Sequence, residues 1–105
     1  MLVLGHSFVR NLETWVADQH WQGNVFETSV KGRQVYFDGT GGLKLEGLGR
    51  KLPAVMTKKR YECVVLEMGS NDLCERRLTA EMVVDGLFVM AAKLKGNYGV
   101  KTVVL

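Results

Sequence analysis

The chain has 105 residues, 47% hydrophobic and 24% charged, with 14 Lys and Arg against 11 Asp and Glu. That is room for one domain with a small core, and the composition excludes a disordered chain. A net charge of +3 is too slight, and its basic residues too scattered, to expect a nucleic-acid partner.

No run approaches the roughly 18 apolar residues of a membrane span. The opening Met1-Leu2-Val3-Leu4 is too short for a signal peptide and has no basic flank. The two cysteines, Cys63 and Cys74, have neither metal-ligand nor C-x-x-C spacing. An intracellular, cytoplasmic setting is therefore expected.

Met1 to Gly5 reads as a short strand that ends at a glycine. Phe8, Leu12, Trp15 and Val16 then recur at helical spacing, which predicts an amphipathic helix from residue 8 to about 20 with those side chains facing the core. A second strand is expected around Val25 to Val30, closed by Gly32, and "DGTGG" at 38–42 reads as a loop. Leu45, Leu48, Leu52, Val55 and Met56 share one helical face, but Pro53 interrupts it. Proline removes a helical hydrogen bond and clashes with the preceding turn, so two short helices or one kinked helix are expected. Lys58-Lys59-Arg60 falls at the end of that segment, where cations complement the helix dipole.

"YECVVLEMG" at 61–69 is the clearest strand. Cys63 to Leu66 are continuously apolar, as in a parallel strand covered on both faces, so Cys63 reads as a buried thiol. Val83, Leu87, Met90 and Leu94 mark a third helix, stopping at Gly96-Asn97, and "VKTVVL" is a fourth strand. Alternation of strand and helix predicts an α/β fold, a parallel sheet with helices on both faces.

In such a sheet, ligands bind beyond the carboxyl ends of the strands. That rule selects Gly5-His6-Ser7 after the first strand, Lys31-Gly32-Arg33 after the second, and Gly69-Ser70-Asn71-Asp72 after the third. Taken singly, Ser7 is a helix cap, Gly32 a turn residue and "GSND" a loop. Together they form a set with a chemical logic. A serine at a strand-to-helix turn exposes its hydroxyl, a glycine lets a backbone N–H approach a substrate, and an asparagine adds a neutral donor.

"GHS", Gly32 and "GSND" in this order resemble the first three sequence blocks of the SGNH hydrolases, the GDSL-type esterases and lipases. The stretch "LGRKLPAVMTKKRYECVVLEMGSNDL" at 48–73 is similar to that family throughout, and the resemblance runs from Val3 to Leu105. It implies a flavodoxin-like three-layer α/β/α sandwich with the first strand between the second and third. It implies Ser7 as nucleophile, with the Ser7 N–H, Gly32 and Asn71 as oxyanion hole. The implied reaction is hydrolysis of a small-molecule carboxylic ester through an acyl-serine, with no metal or organic cofactor.

His6 stands where the family usually has aspartate, and a structural or pocket-lining role is expected for it. The family's Asp-x-x-His block, which follows a fifth strand, is not among these residues. Residues 1–105 thus correspond to the N-terminal part of a single SGNH-like domain, without the last strand and helix. His20 lies thirteen residues after Ser7, about 20 Å along a helix, too far to act as its base. Glu67 and Asp72 are expected to make structural hydrogen bonds. Little or no esterase turnover is therefore expected from this chain, along with marginal stability or self-association through the open edge of the fourth strand. The alternative is a non-catalytic binding or assembly module on the same fold. A phosphate-binding reading would want a glycine-rich first turn, and "GHSFVRN" has one glycine.

Overall fold

The computed structural model describes residues 1–21, 29, 30 and 33–105, and side chains are described for 1–15 and 35–105. In chain order the elements are β1 (Leu2–Gly5), α1 (Ser7–Trp21), β2 (Ser29–Val30), β3 (Arg33–Gln34), β4 (Tyr36–Gly39), α2 (Leu45–Lys58), β5 (Cys63–Glu67), α3 (Ser70–Leu73), α4 (Ala80–Tyr98) and β6 (Thr102–Val104). Four strands form one parallel sheet in the order β4-β1-β5-β6. This is the expected flavodoxin-like α/β architecture, with β1 between its two neighbours.

One strand differs from expectation. The strand beside β1 is β4, not a segment at 25–30. Residues 25–28 lie outside the described residues, while Ser29–Val30 pairs antiparallel with Arg33–Gln34 in a separate ribbon. Tyr36 and Phe37 are good strand formers, but Asp38-Gly39 has the composition of a turn. Gly39 is in the strand because α1 crosses it closely. A Cβ there would overlap the backbone nitrogen of Arg10.

The register sorts the side chains onto two faces. Leu2, Val64 and Val103 form one row, with Leu4 and Leu66 in the same layer. That face carries the main core. Leu48, Leu52, Val55 and Met56 of α2, and Met90 and Leu94 of α4, pack on it together with Val100. Each fully buried Leu or Val contributes about 1.5–3 kcal/mol relative to exposure.

The opposite face carries Val3, Val65 and Val104, and is covered differently. α1 lies over its β1–β4 half, with Val9 completely buried. Over β5 and β6 no helix covers it among the described residues. Val65 and Cys63 are half-buried and Val104 is 47% exposed. Cys63 is therefore not the buried thiol expected, because among the described residues helices cover only one face of β5.

The helices also refine the sequence pattern. Among the described side chains of α1, Val9 is buried and Leu12 half-buried, whereas Phe8 and Trp15, expected in the core, are 61% and 48% exposed. The close approach at Gly39 turns Val9 and Arg10 toward the sheet and rotates the neighbouring Phe8 away. α2 runs unbroken through Pro53. Its buried leucine stripe holds the segment together, and Pro53 itself is exposed with its carbonyl accepting from Thr57 Oγ1 at 2.6 Å. α4 starts under a Thr79 cap, whose Oγ1 accepts from the Met82 N–H at 3.2 Å. It ends at Gly99, in the left-handed region with φ 68°, and not at Gly96.

Candidate functional site

The turn after β1 settles what Ser7 does locally. The His6 carbonyl accepts from the N–H groups of Val9 and Arg10 at 3.1 and 3.3 Å. The Phe8 N–H faces His6 Nδ1 at 3.5 Å. His6 therefore occupies the capping position and Ser7 is the first residue of α1, half-buried. Among the described residues nothing hydrogen-bonds the Ser7 hydroxyl, so the helix-cap reading of Ser7 is replaced by a cap at His6.

The His6 ring is buried and points at the turn after β5. Its Nε2 lies 2.8 Å from Ser70 Oγ and 3.0 Å from Glu67 Oε2. With the Phe8 N–H on Nδ1, a neutral ring carries its proton on Nε2. That single N–H meets two oxygens. The Ser70 contact has hydrogen-bond geometry, while the buried Glu67 Oε2 stands at ion-pair distance with no aligned donor. The consequence is structural: His6 ties the end of β1 to the start of α3, across 64 positions of sequence.

The turn after β5 is held in place by its own chemistry. Gly69 has φ 112°, a conformation that favours glycine, and a Cβ there would press on Val83. Asn71 Nδ2 donates to the Leu43 carbonyl at 3.2 Å. Both carboxylate oxygens of the buried Asp72 accept from the Leu45 N–H, at 3.1 and 3.2 Å. Lys44 precedes α2 and offers no side-chain cap, so Asp72 supplies one from another element. Nearby, the Lys44 ammonium hydrogen-bonds Glu75 and, with Arg77, holds its carboxyl below the usual range.

The third turn, after β4, is anchored to the first. The Thr40 N–H donates to the Gly5 carbonyl at 3.0 Å, and Lys51 bridges Asp38 and the Thr40 hydroxyl. The Arg10 guanidinium lies against Gly41. The glycines at the carboxyl end of the strand beside β1 are thus Gly39, Gly41 and Gly42, whereas Gly32 lies outside the described residues. So does the side chain of His20, which the backbone puts in α1 near its end.

The turns after β1, β4 and β5 therefore form one connected edge. His6 and Ser70 join the first to the third, Thr40 and Gly5 join the second to the first, and Asn71 with Asp72 joins the third to the segment after β4. Asp72 makes the structural hydrogen bonds expected from sequence, whereas Glu67 Oε2 stands beside His6 without one. The His6–Ser70 contact had no sequence signal, because its partners sit on elements whose adjacency only the sheet order reveals. Among the described residues, no three His, Cys, Asp or Glu side chains gather as a metal would require.

The chain's fold is that of a known esterase. It superposes on the crystal structure of an acetyl xylan esterase, AlAXEase, with a TM-score of 0.66 and 18% sequence identity. The match covers 99% of this chain and 57% of that one, so the chain spans little more than half of that esterase. No family model matches the sequence, and neither does any curated protein. At this identity the likeness establishes the α/β fold alone. No helix among the described residues is long and apolar enough to cross a membrane.

Proposed function

We propose that residues 1–105 carry the nucleophile and oxyanion side of an SGNH-type serine ester hydrolase. The observation that supports this most directly is the turn after β1, where His6 caps α1 and leaves the Ser7 hydroxyl unengaged by any described residue. The esterase fold of the structural relative agrees with it. In this reading Ser7 Oγ attacks the carbonyl carbon of an ester and passes its proton to a base. The bond to the alcohol oxygen then breaks, the alcohol leaves with that proton, and water hydrolyses the acyl-serine.

The negative charge on the carbonyl oxygen would be met by the Ser7 N–H and Asn71 Nδ2. The resemblance assigns the third donor to Gly32, which lies outside the described residues. After β4, the strand beside β1, the Thr40 N–H is bonded to Gly5, and the Gly41 N–H beyond it is a second candidate for the role. Loss of one such donor costs about 3 kcal/mol of transition-state stabilisation.

His6 does not serve as base to Ser7, because its Nε2 is turned to Ser70 and Glu67 and its Nδ1 to the Phe8 N–H. In this reading residues 1–105 supply no base to Ser7, and the chain by itself is not a turnover catalyst at neutral pH. A second reading rests on the 2.8 Å contact between Ser70 and His6, with Ser70 as nucleophile. It ranks lower, since a relay needs hydroxyl and carboxylate on opposite ring nitrogens, and here both face Nε2.

The test is acetylation by p-nitrophenyl acetate at alkaline pH, where hydroxide substitutes for the base, followed by peptide mass spectrometry. Acetyl on Ser7, lost in Ser7→Ala and slowed in Asn71→Ala, is the expected result. Acetyl on Ser70 selects the second reading. No preferred serine leaves the fold as a binding or assembly module and overturns both.

A further inference from the structure

α4 is apolar on more sides than the sheet uses. Val83, Met90 and Leu94 are buried, yet Val84 and Phe88 stand 47% and 60% exposed. Glu81, Val84, Phe88, Ala91 and Lys95 follow one another at spacings of 3, 4, 3 and 4 and so fall on one stripe of the helix. Gly86 faces α2, since a Cβ there would meet Leu45. Val84 is two residues away, about 160° around the helix, so the stripe lies on the flank turned away from α2.

The order of residues along that flank selects what can cover it. Phe88 is central, with Glu81 seven residues before it and Lys95 seven residues after. We propose that the chain forms a two-fold dimer through this stripe, with the α4 helices of two copies packed antiparallel about Phe88. A two-fold axis there sets Phe88 against its own copy, with Val84 and Ala91 beside it. It also sets Glu81 of each copy against Lys95 of the other, at both ends. The surface is self-complementary, which a two-fold interface demands. A parallel pairing would bring Glu81 onto Glu81 and Lys95 onto Lys95, and is disfavoured. The 3-4 spacing suits helices about 8–10 Å apart at a shallow crossing angle.

This dimer is independent of the ester-hydrolase reading. One helix pair of this length buries less than the roughly 1,600 Å² of a standard interface, so a reversible dimer of micromolar or weaker affinity is expected. The competing route to association is the open edge of β6, where Val104 and Leu105 are exposed. That route runs through backbone pairing and does not respond to charges on α4.

Sedimentation equilibrium of the 105-residue chain, from low micromolar to near-millimolar concentration, tests the proposal. A monomer–dimer equilibrium is expected, abolished by Phe88→Asp, with far-UV circular dichroism to check that the exposed site tolerates the change. Glu81→Lys or Lys95→Glu alone should weaken the dimer about three- to tenfold, and the double swap should restore it. A monomer at every concentration overturns the proposal. So does a dimer indifferent to Phe88→Asp but lost in Val104→Lys, and so does one that the single charge changes leave unaltered.

Discussion

A methyl group added at Gly39 would collide with the Arg10 backbone, and the two main chains would have to separate. Gly39→Ala should therefore destabilise the fold by about 1–3 kcal/mol, read as a lowered urea midpoint. Gly96 is the control. It lies inside α4 with open space around a Cβ, so Gly96→Ala should stabilise by about 0.5–1 kcal/mol. Both glycines look alike in the sequence, and only the packing of α1 on β4 separates them. The same contact explains why Phe8 and Trp15 were misplaced. Leu12 fits a stripe with Phe8 and Trp15 as well as one with Val9, and the choice between Phe8 and Val9 is made by Gly39, some thirty residues away. Ser7 and Asn71 stand out in the sequence because neighbouring glycines at strand ends mark them. For His6 a structural part is expected from sequence but its capping of α1 is not, since a histidine cap has no local pattern of its own.

At the level of elements, α2 depends on a residue it does not contain. Asp72 caps its first turn from α3, and a carboxylate at that end also complements the helix dipole. Asp72→Ala should cost about 1–2 kcal/mol and increase hydrogen exchange in the first turn of α2 before that of α4, which has its own cap at Thr79. Strands β1, β5 and β6 and helices α2 and α4 were readable because each carries an apolar period long enough to exceed the noise of turn residues. β4 was not, because two of its four residues are Asp and Gly and its partner is fixed by topology. The run through Pro53 was likewise hidden. A proline costs a known amount locally, but the buried Leu48, Leu52, Val55 and Met56 decide whether the helix survives it.

For the whole molecule, the sheet order β4-β1-β5-β6 is what brings three distant turns to one edge, the edge that carries Ser7 and Asn71. The alternation of elements predicted the architecture, and the turns after β1 and β5 were expected at this edge, whereas the third turn there follows β4 and not the strand before Gly32. The missing piece was the identity of the strand beside β1. Hydrolysis of p-nitrophenyl acetate at neutral pH should not exceed the rate of Ser7→Ala. A Ser7-dependent turnover would mean that a base lies within these residues after all.

The uneven covering of the two sheet faces has a thermal consequence. The heat-capacity change of unfolding scales with the apolar surface that water reaches when the fold opens. A chain of this length with both faces covered would show about 1.3–1.6 kcal/mol/K. Here Val65 and Val104 are already partly in contact with water, over β5 and β6. Scanning calorimetry should accordingly give a smaller value. For a given enthalpy of unfolding, the stability curve of the chain would then be less curved, with a smaller loss of stability toward the cold.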